Sequence, residues 1–169
     1  MRMRTNKIDT EVVAKFLRKL NYKHELICRV GLATGLRVSD ILRLTISQIN
    51  IEKPTVKEMK TGKSKRIYIP KKLREELKMY HAHHSHNEYI FYSNSESGHL
   101  SRQAVWKAFK KASKSLHIKN NIAPHSTRKS YACKLLKKGK NYNYIKSKLN
   151  HSHLTDTILY LLDTVNEKE

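Results

Sequence analysis

Residues 34–70 read TGLRVSDILRLTISQINIEKPTVKEMKTGKSKRIYIP, and the sequence pattern changes within this stretch. Gly35 suits a left-handed helix end, and a short helix is expected from about Ser39. From Ser47 to Pro70, spaced apolar residues and the turn TGKSK instead indicate a small antiparallel sheet with at least one hairpin. The stretch therefore predicts a small sheet inserted among helices.

Helical patterns dominate the rest of the chain. A first helix is expected from Asp9 or Thr10 to about Leu20, and a second from about His24 to Thr34. Further helices are expected over about 71–81, from residue 101 onward, over about 125–138, over about 143–149 and over about 154–162, and a short extended piece over 89–94. The predicted fold class is mainly α with a small antiparallel β-sheet.

One predicted helix carries a mixed set of side chains. It begins at Ser101, and Val105, Trp106 and Phe109 are expected on its apolar side. Lys107 and Lys111 belong to a basic face of the same helix. This face could either be exposed to solvent or contact the phosphate backbone of a nucleic acid.

The charge balance points to an anionic partner. The chain has 35 Lys and Arg against 14 Asp and Glu, a net charge of +21. A domain this basic repels itself, and nucleic acid is the simplest partner that relieves the repulsion. A membrane is a weaker interpretation, because the basic residues are spread along the chain and no segment is apolar for the roughly 20 residues of a span. We expect a cytoplasmic protein with no membrane association, in which Cys28 and Cys133 are buried free thiols.

Two motifs in the first half of the chain offer cations. In TGLRVSDILRL, Arg37 lies at the start of a helix, where its planar guanidinium group can donate hydrogen bonds to a phosphate. In KTGKSKRIYIP, Lys60 enters a hairpin turn and can reach into a groove. Lys63, Lys65 and Arg66 lie close by, so charge alone does not select Lys60.

Two motifs in the second half add groups that can transfer a proton. In HSTRKSYA, His125 and Arg128 are three residues apart and share one face of a helix. In LNHSHLTDTILY, His151 precedes a helix that ends near Tyr160. Considered without the other motifs, Tyr160 would be interpreted as a core tyrosine whose hydroxyl lies at the edge of the apolar core.

Taken in order and spacing, these motifs resemble the active site of the tyrosine recombinase (phage integrase) family, whose catalytic positions match Arg37, Lys60, His125, Arg128, His151 and Tyr160. TGLRVSDI resembles the first arginine box, KTG the β-hairpin lysine, HSTR the His-x-x-Arg box and LNHS the last box. The similarity covers about residues 9–162. The chain departs from the usual pattern at Asn150, where the family has glycine, and at Thr127, where it has leucine.

The resemblance implies a reaction at a DNA phosphate. Tyr160 would attack the phosphorus and form a 3′-phosphotyrosyl link, releasing a 5′-hydroxyl. Arg37 and Arg128 would hold the phosphate oxygens, and His151 would donate a further hydrogen bond. No metal or other cofactor is expected, because the protein itself supplies the cations.

The resemblance also implies the proton transfers. His125 would take the tyrosine proton, and Lys60 would protonate the leaving oxygen. The DNA contacts expected outside the catalytic set are at Lys63, Lys65, Lys107 and Lys111.

Double-stranded DNA is the expected partner, bound by four protomers, with accessory proteins as further partners. Residues 1–169 are expected to form a single catalytic domain without the family's usual N-terminal DNA-clamping domain. Two other functions stay open: a type IB topoisomerase with similar chemistry, and a non-catalytic DNA-binding regulator on the same fold. The histidines of HAHHSH, residues 81–86, could also bind a metal, although nothing else in the sequence supports this.

Overall fold

The computed structural model of the chain describes residues 5–165, with side chains up to residue 162. Residues 1–4 and 166–169, which belong to the domain predicted over 1–169, lie outside the described residues. The elements in order are α1 (Thr10–Arg18), α2 (Tyr22–Thr34), α3 (Val38–Leu42), α4 (Ile46–Ile49), β1 (Thr55–Lys57), β2 (Ser64–Arg66), α5 (Lys71–His84), α6 (Arg102–Ser115), α7 (Pro124–Lys137), α8 (Tyr142–Leu149) and α9 (Leu154–Val165).

The predicted fold class is confirmed, and the helix ends follow the local signals in the sequence. Gly35 ends α2 with a φ of 65°, in the left-handed region. The Ser101 side chain accepts a hydrogen bond from the Ala104 N–H at the start of α6. Pro124 occupies the first turn of α7, where its missing N–H costs no hydrogen bond. In residues 5–165 no helix is long and apolar enough to cross a bilayer.

The sheet is smaller than predicted. Strands β1 and β2 have three residues each and pair antiparallel, with Val56 opposite Lys65. Residues 47–49, which the prediction placed in the sheet region, belong to α4 instead, because Thr45 and Gln48 make a reciprocal capping box. The predicted extended piece over 89–94 contributes only isolated bridges, one of which joins Thr45 to Tyr89.

The buried apolar residues form two clusters. The larger cluster joins helices α1, α2, α3, α5 and α6, and it includes the edge contact between Phe16 and Phe109, whose ring centroids are 5.2 Å apart. The smaller cluster joins α7, α8 and α9 through Ala132, Ile145, Leu149 and Leu161. The two clusters are linked by the packing of α2 against α7.

Gly31 is required for the close approach of α2 and α7. A Cβ atom at Gly31 would lie 2.3 Å from the Thr127 Oγ1 atom and 2.8 Å from its Cβ. The Thr127 hydroxyl is held in this place by donating a hydrogen bond of 2.9 Å to the Pro124 carbonyl. Threonine at the position where the family usually has leucine therefore fits a tight helix crossing.

The expected apolar side of α6 is only partly correct. Val105 and Phe109 are fully buried, whereas Trp106 is 49% exposed. The Lys110 ammonium lies over the Trp106 ring, 5.7 Å from its centroid, so the indole lies on the basic side of the helix. One residue of offset along a helix moves a side chain by about 100°, which carries Trp106 off the buried stripe.

We predict that Phe109→Ala lowers the free energy of unfolding by about 3–5 kcal/mol, because it removes a fully buried ring and leaves a cavity. The matched control on the same helix is Trp106→Ala, which we expect to change stability by about 0.5 kcal/mol or less. Urea denaturation followed by circular dichroism measures both. Similar losses for the two variants would mean that the Trp106 ring is also part of the core.

Candidate active site

The Arg37 side chain is placed by the turn that ends α2. Gly35 reverses the chain, Leu36 is buried, and Arg37 becomes the N-cap residue of α3. Its guanidinium Nη1 donates to the Glu58 Oε2 atom at 2.5 Å, and 18% of the side chain is exposed. The arginine is therefore anchored at one nitrogen and has other N–H groups left for a ligand.

Arg128 on α7 lies at the centre of the site, with only 1% of the residue exposed. Its Nη1 donates to the Gly35 carbonyl at 2.6 Å, and its Nη2 donates to the Leu149 carbonyl. These bonds join the α2–α3 turn to the end of α8. The two predicted arginines, Arg37 and Arg128, thereby lie close together, although they are 91 residues apart in the sequence.

Glu58 completes this cluster, and the sequence interpretation missed it. Its carboxylate is 0% exposed and lies 3.5 Å from the Lys65 ammonium and 3.9 Å from the Arg128 guanidinium. Burial alone would raise the pKa of Glu58, but the charges of Lys65, Arg37 and Arg128 hold it below its ordinary value. Glu58 is therefore an ionised carboxylate enclosed by three cations.

Tyr160 on α9 lies between the two predicted histidines. Its ring centroid is 5.6 Å from that of His125 and 5.4 Å from that of His151, both in edge-on geometry. The hydroxyl is buried and makes no hydrogen bond within residues 5–165. Burial raises the pKa of Tyr160, while Arg128 and Arg37 act in the opposite direction. A proton acceptor is therefore needed before this hydroxyl can act as a nucleophile.

Burial and the neighbouring arginines keep the two histidines neutral. Burial, followed by the charge of Arg128, lowers the pKa of both His125 and His151 to about 4. His125 keeps an exposed edge, whereas His151 is half-buried. The His151 Nδ1 atom is 2.9 Å from the Thr157 hydroxyl. When that hydroxyl donates to Nδ1, the hydrogen of the ring stands on Nε2, which is then free to donate to a ligand.

The two hairpin lysines occupy different environments. Lys60 is exposed, and among the described residues it has no hydrogen bond or ion pair. Lys65 was expected to contact DNA, but only 8% of its side chain is exposed, and its ammonium donates to the Lys148 carbonyl at 2.8 Å. Burial, followed by the charge of Arg128, lowers the pKa of Lys65 to about 8. The structure thus brings Lys65, and not Lys60, beside the arginines.

The remaining predicted DNA contacts lie on the surface. Lys63 is exposed in the hairpin turn, and Lys107 and Lys111 are exposed on α6. Within residues 5–165 no three His, Cys, Asp or Glu side chains are grouped so as to hold a metal ion.

Comparison with known proteins identifies the family. The sequence pattern described as the phage integrase family matches residues 4–167. The chain belongs to this family. Tyrosine recombinase XerA of Pyrococcus furiosus is 31% identical over 157 residues, which are 90% of this chain and 54% of that protein. Tyrosine recombinase XerD of Staphylococcus aureus is 29% identical over 154 residues, which are 85% of this chain and 52% of that protein.

Solved structures of phage integrase family members share the fold. The crystal structure of XerA recombinase has a TM-score of 0.78 at 19% identity, over 95% of this chain and 61% of that one. A structure of lambda integrase has a TM-score of 0.75 at 20% identity, over 95% of this chain and 60% of that one. The chain spans about half the length of the curated relatives it matches.

The departure at Asn150 has a conformational explanation in this phage integrase domain. Asn150 ends α8 with a φ of 51° and a ψ of 36°, in the left-handed region that favours glycine. Asparagine is one of the few other residues that adopt this conformation readily. The turn into His151 is therefore kept without the family's usual glycine.

Two functional neighbours went unnoticed in the sequence. Glu58 directly follows β1, and the alternation of polar Thr55 and Lys57 with apolar Val56 would have placed Glu58 on the same inward side as Val56. Lys129 is 4% exposed, and its ammonium lies 5.6 Å from the centroid of the Tyr160 ring. The sequence of α7 does not indicate that Lys129 is buried, because a lysine beside another basic residue is usually exposed to solvent.

The lowered pKa of His151 predicts how stability changes with pH. The pKa falls from 6.5 to about 4 on folding, so the unfolded chain binds the proton more readily. The stabilising effect is complete above pH 6.5 and is lost as the pH falls toward 4.

We therefore expect wild type to lose more stability between pH 7 and pH 5 than His151→Gln does, by about 1 kcal/mol after screening by solvent. Urea denaturation at the two pH values measures this difference. His153→Gln, which removes an exposed imidazole two residues away, is the control for loss of a ring. The same pH dependence in His151→Gln as in wild type would show that this imidazole does not change its proton affinity on folding.

Proposed function

We propose that this chain is the catalytic domain of a site-specific DNA recombinase that breaks and rejoins DNA through Tyr160. The observation that carries the proposal is the contact of the Tyr160 ring with the imidazoles of His125 and His151, close to the charge of Arg128. A nucleophile, a base and fixed cations in one place are the parts that phosphoryl transfer requires.

The two arginines supply the electrostatic part of the reaction. A phosphodiester gains negative charge as the nucleophile attacks, and fixed cations stabilise the transition state more than the ground state. Arg128 is held rigid by the Gly35 and Leu149 carbonyls, so little reorganisation is needed when the phosphate arrives. His151, with its hydrogen on Nε2, donates a further bond to a phosphate oxygen.

The proton and bond changes balance without a cofactor. The oxygen of Tyr160 forms a bond to phosphorus as its proton passes to His125, which is neutral because burial and Arg128 lower its pKa. The bond from phosphorus to the 5′-oxygen breaks, and a lysine gives that oxygen a proton. The family motif assigns this role to Lys60. Reversal of the same steps rejoins the strand, because the covalent link conserves the bond.

The partners of the proposal follow from charge and from relatives. The +21 charge suits double-stranded DNA. XerH, which has a TM-score of 0.76 at 20% identity, was crystallised in a post-cleavage complex with its difH substrate. Exchange between two duplexes needs four active sites, so a tetramer on DNA belongs to the proposal. Accessory proteins remain a prediction of the sequence.

We predict that Tyr160→Phe abolishes the covalent protein–DNA adduct and leaves DNA binding within about twofold, since no charge is removed. The variant should fold normally, because the lost hydroxyl makes no hydrogen bond within residues 5–165. Duplexes that the protein binds are first selected from a random pool and prepared as nicked suicide substrates. Denaturing gel electrophoresis then detects the adduct, and Tyr144→Phe on α8 is the control. An adduct in Tyr160→Phe at the wild-type rate would reject the nucleophile, and no adduct in wild type would favour a DNA-binding regulator.

We predict that Lys60→Ala slows cleavage of normal DNA by about 10²–10⁴-fold, as expected for a lost general acid. A 5′-phosphorothiolate substrate should restore near wild-type cleavage, because a thiol has a pKa near 8.5 and leaves without a proton donor. Lys63→Ala, in the same turn, is the matched control and should show neither effect. Sulfur rescue of Lys65→Ala in place of Lys60→Ala would assign the proton to the buried lysine.

A further inference from the structure

The Glu58 carboxylate occupies the place where the active-site cations converge. Its Oε2 atom accepts from the Arg37 Nη1 atom at 2.5 Å, and its Oε1 atom lies 3.5 Å from the Lys65 ammonium and 3.9 Å from the Arg128 guanidinium. The Oε1 atom is buried and makes no hydrogen bond within residues 5–165. A carboxylate thus stands among the N–H groups that the proposed function assigns to a phosphate.

Guanidinium groups bind carboxylates and phosphates through the same fork of donors. An anion that already accepts from Arg37 competes with an entering phosphodiester for that donor. Two anions side by side in a buried site also repel each other strongly. Glu58 therefore opposes phosphate binding as long as it stays where it is.

The backbone ties Glu58 to the turn that carries Lys60. The Glu58 N–H donates to the Lys63 carbonyl at 3.0 Å, and the Gly62 N–H donates to the Glu58 carbonyl at 2.9 Å. The Thr61 hydroxyl also donates to the Glu58 Oε2 atom at 3.1 Å. A movement of this turn that brings the exposed Lys60 toward the site must therefore displace Glu58 as well.

We propose that Glu58 is an autoinhibitory anion, which fills the phosphate site while DNA is absent and leaves it when the hairpin turn brings Lys60 to the scissile phosphate. The inference rests on the proposed function, and it accounts for the exposure of Lys60. It makes the entry of the phosphate and the arrival of Lys60 a single event.

The surroundings of Glu58 favour displacement over neutralisation. Arg37, Lys65 and Arg128 face the carboxylate, and they keep its pKa low, so it remains charged near neutral pH. Asp40 on α3 also lies nearby: its Oδ1 accepts from the Met59 N–H at 3.0 Å, and its Oδ2 is buried without a hydrogen bond in the described part of the chain. The closed arrangement thus leaves two buried carboxylate oxygens without hydrogen bonds in the described residues. Displacement of Glu58 also breaks its ion pairs with the three cations, and the entering phosphate replaces the carboxylate as their counter-ion.

The first test measures binding of inorganic phosphate by ³¹P NMR, which does not depend on cleavage. Glu58→Gln keeps the shape and an acceptor for Arg37 but removes the charge, and it should bind phosphate about tenfold more tightly than wild type. The matched control is Glu76→Gln, which removes the same charge from the Arg29–Glu76 pair and should bind like wild type. The gain should vanish in the double variant Arg37→Ala, Glu58→Gln.

The second test follows adduct formation on the suicide duplex at saturating protein. Glu58→Gln should form the adduct several-fold faster than Glu76→Gln.

Two outcomes overturn the proposal: phosphate binding by Glu58→Gln that is no tighter than by Glu76→Gln, or adduct formation by Glu58→Gln that is slower than by Glu76→Gln. Either outcome would mean that Glu58 holds Arg37 in the position needed for the reaction. If circular dichroism shows that Glu58→Gln is unfolded, Glu58→Ala, which removes the carboxylate and its charge together, replaces it under the same criteria, with Glu76→Ala as its control. An absent adduct in wild type with tighter phosphate binding in Glu58→Gln would reject only the proposed function.

Discussion

The arrangement of the candidate active site depends on how one buried guanidinium is satisfied. Arg128 is almost fully enclosed, and a buried cation is tolerated only when acceptors surround it. The acceptors are the Gly35 carbonyl at the end of α2 and the Leu149 carbonyl at the end of α8, with the Glu58 carboxylate nearby. Three distant stretches of chain must therefore meet at Arg128 before the fold is complete.

This requirement joins the two apolar clusters and thereby places Tyr160, the proposed nucleophile. Leu149 belongs to the smaller cluster, where it packs with Leu161, the residue next to Tyr160. Gly35 belongs to the turn that leads from the larger cluster to Arg37. The packing of α2 against α7 and the hydrogen bonds of Arg128 together hold the two clusters against each other. Residues scattered along the sequence become one site because the same interactions that stabilise the fold position its reactive groups.

The sequence predicted most of the residues that the fold brings together at the candidate site, because the signals for them are local. The left-handed turn at Gly35, the proline at the start of α7 and the spacing of His125 and Arg128 each follow from conformational rules that involve a few residues. Tertiary contacts account for the rest. The hairpin offered several lysines in a row, and only packing determines that Lys65 is buried while Lys60 is exposed. The small size of the sheet likewise depended on a capping interaction at α4 that competes with strand formation.

The charge of Arg128 also sets the state of the proton carriers. The same guanidinium that would hold a phosphate contributes, after burial, to the lowered pKa of His125 and of His151. A cation at that place discourages a second cation on either ring, so both imidazoles are neutral near pH 7 and one of them can accept a proton. The phosphate brings a negative charge that partly cancels this effect. Binding of DNA would therefore increase the basicity of His125 at the moment when Tyr160 must lose its proton.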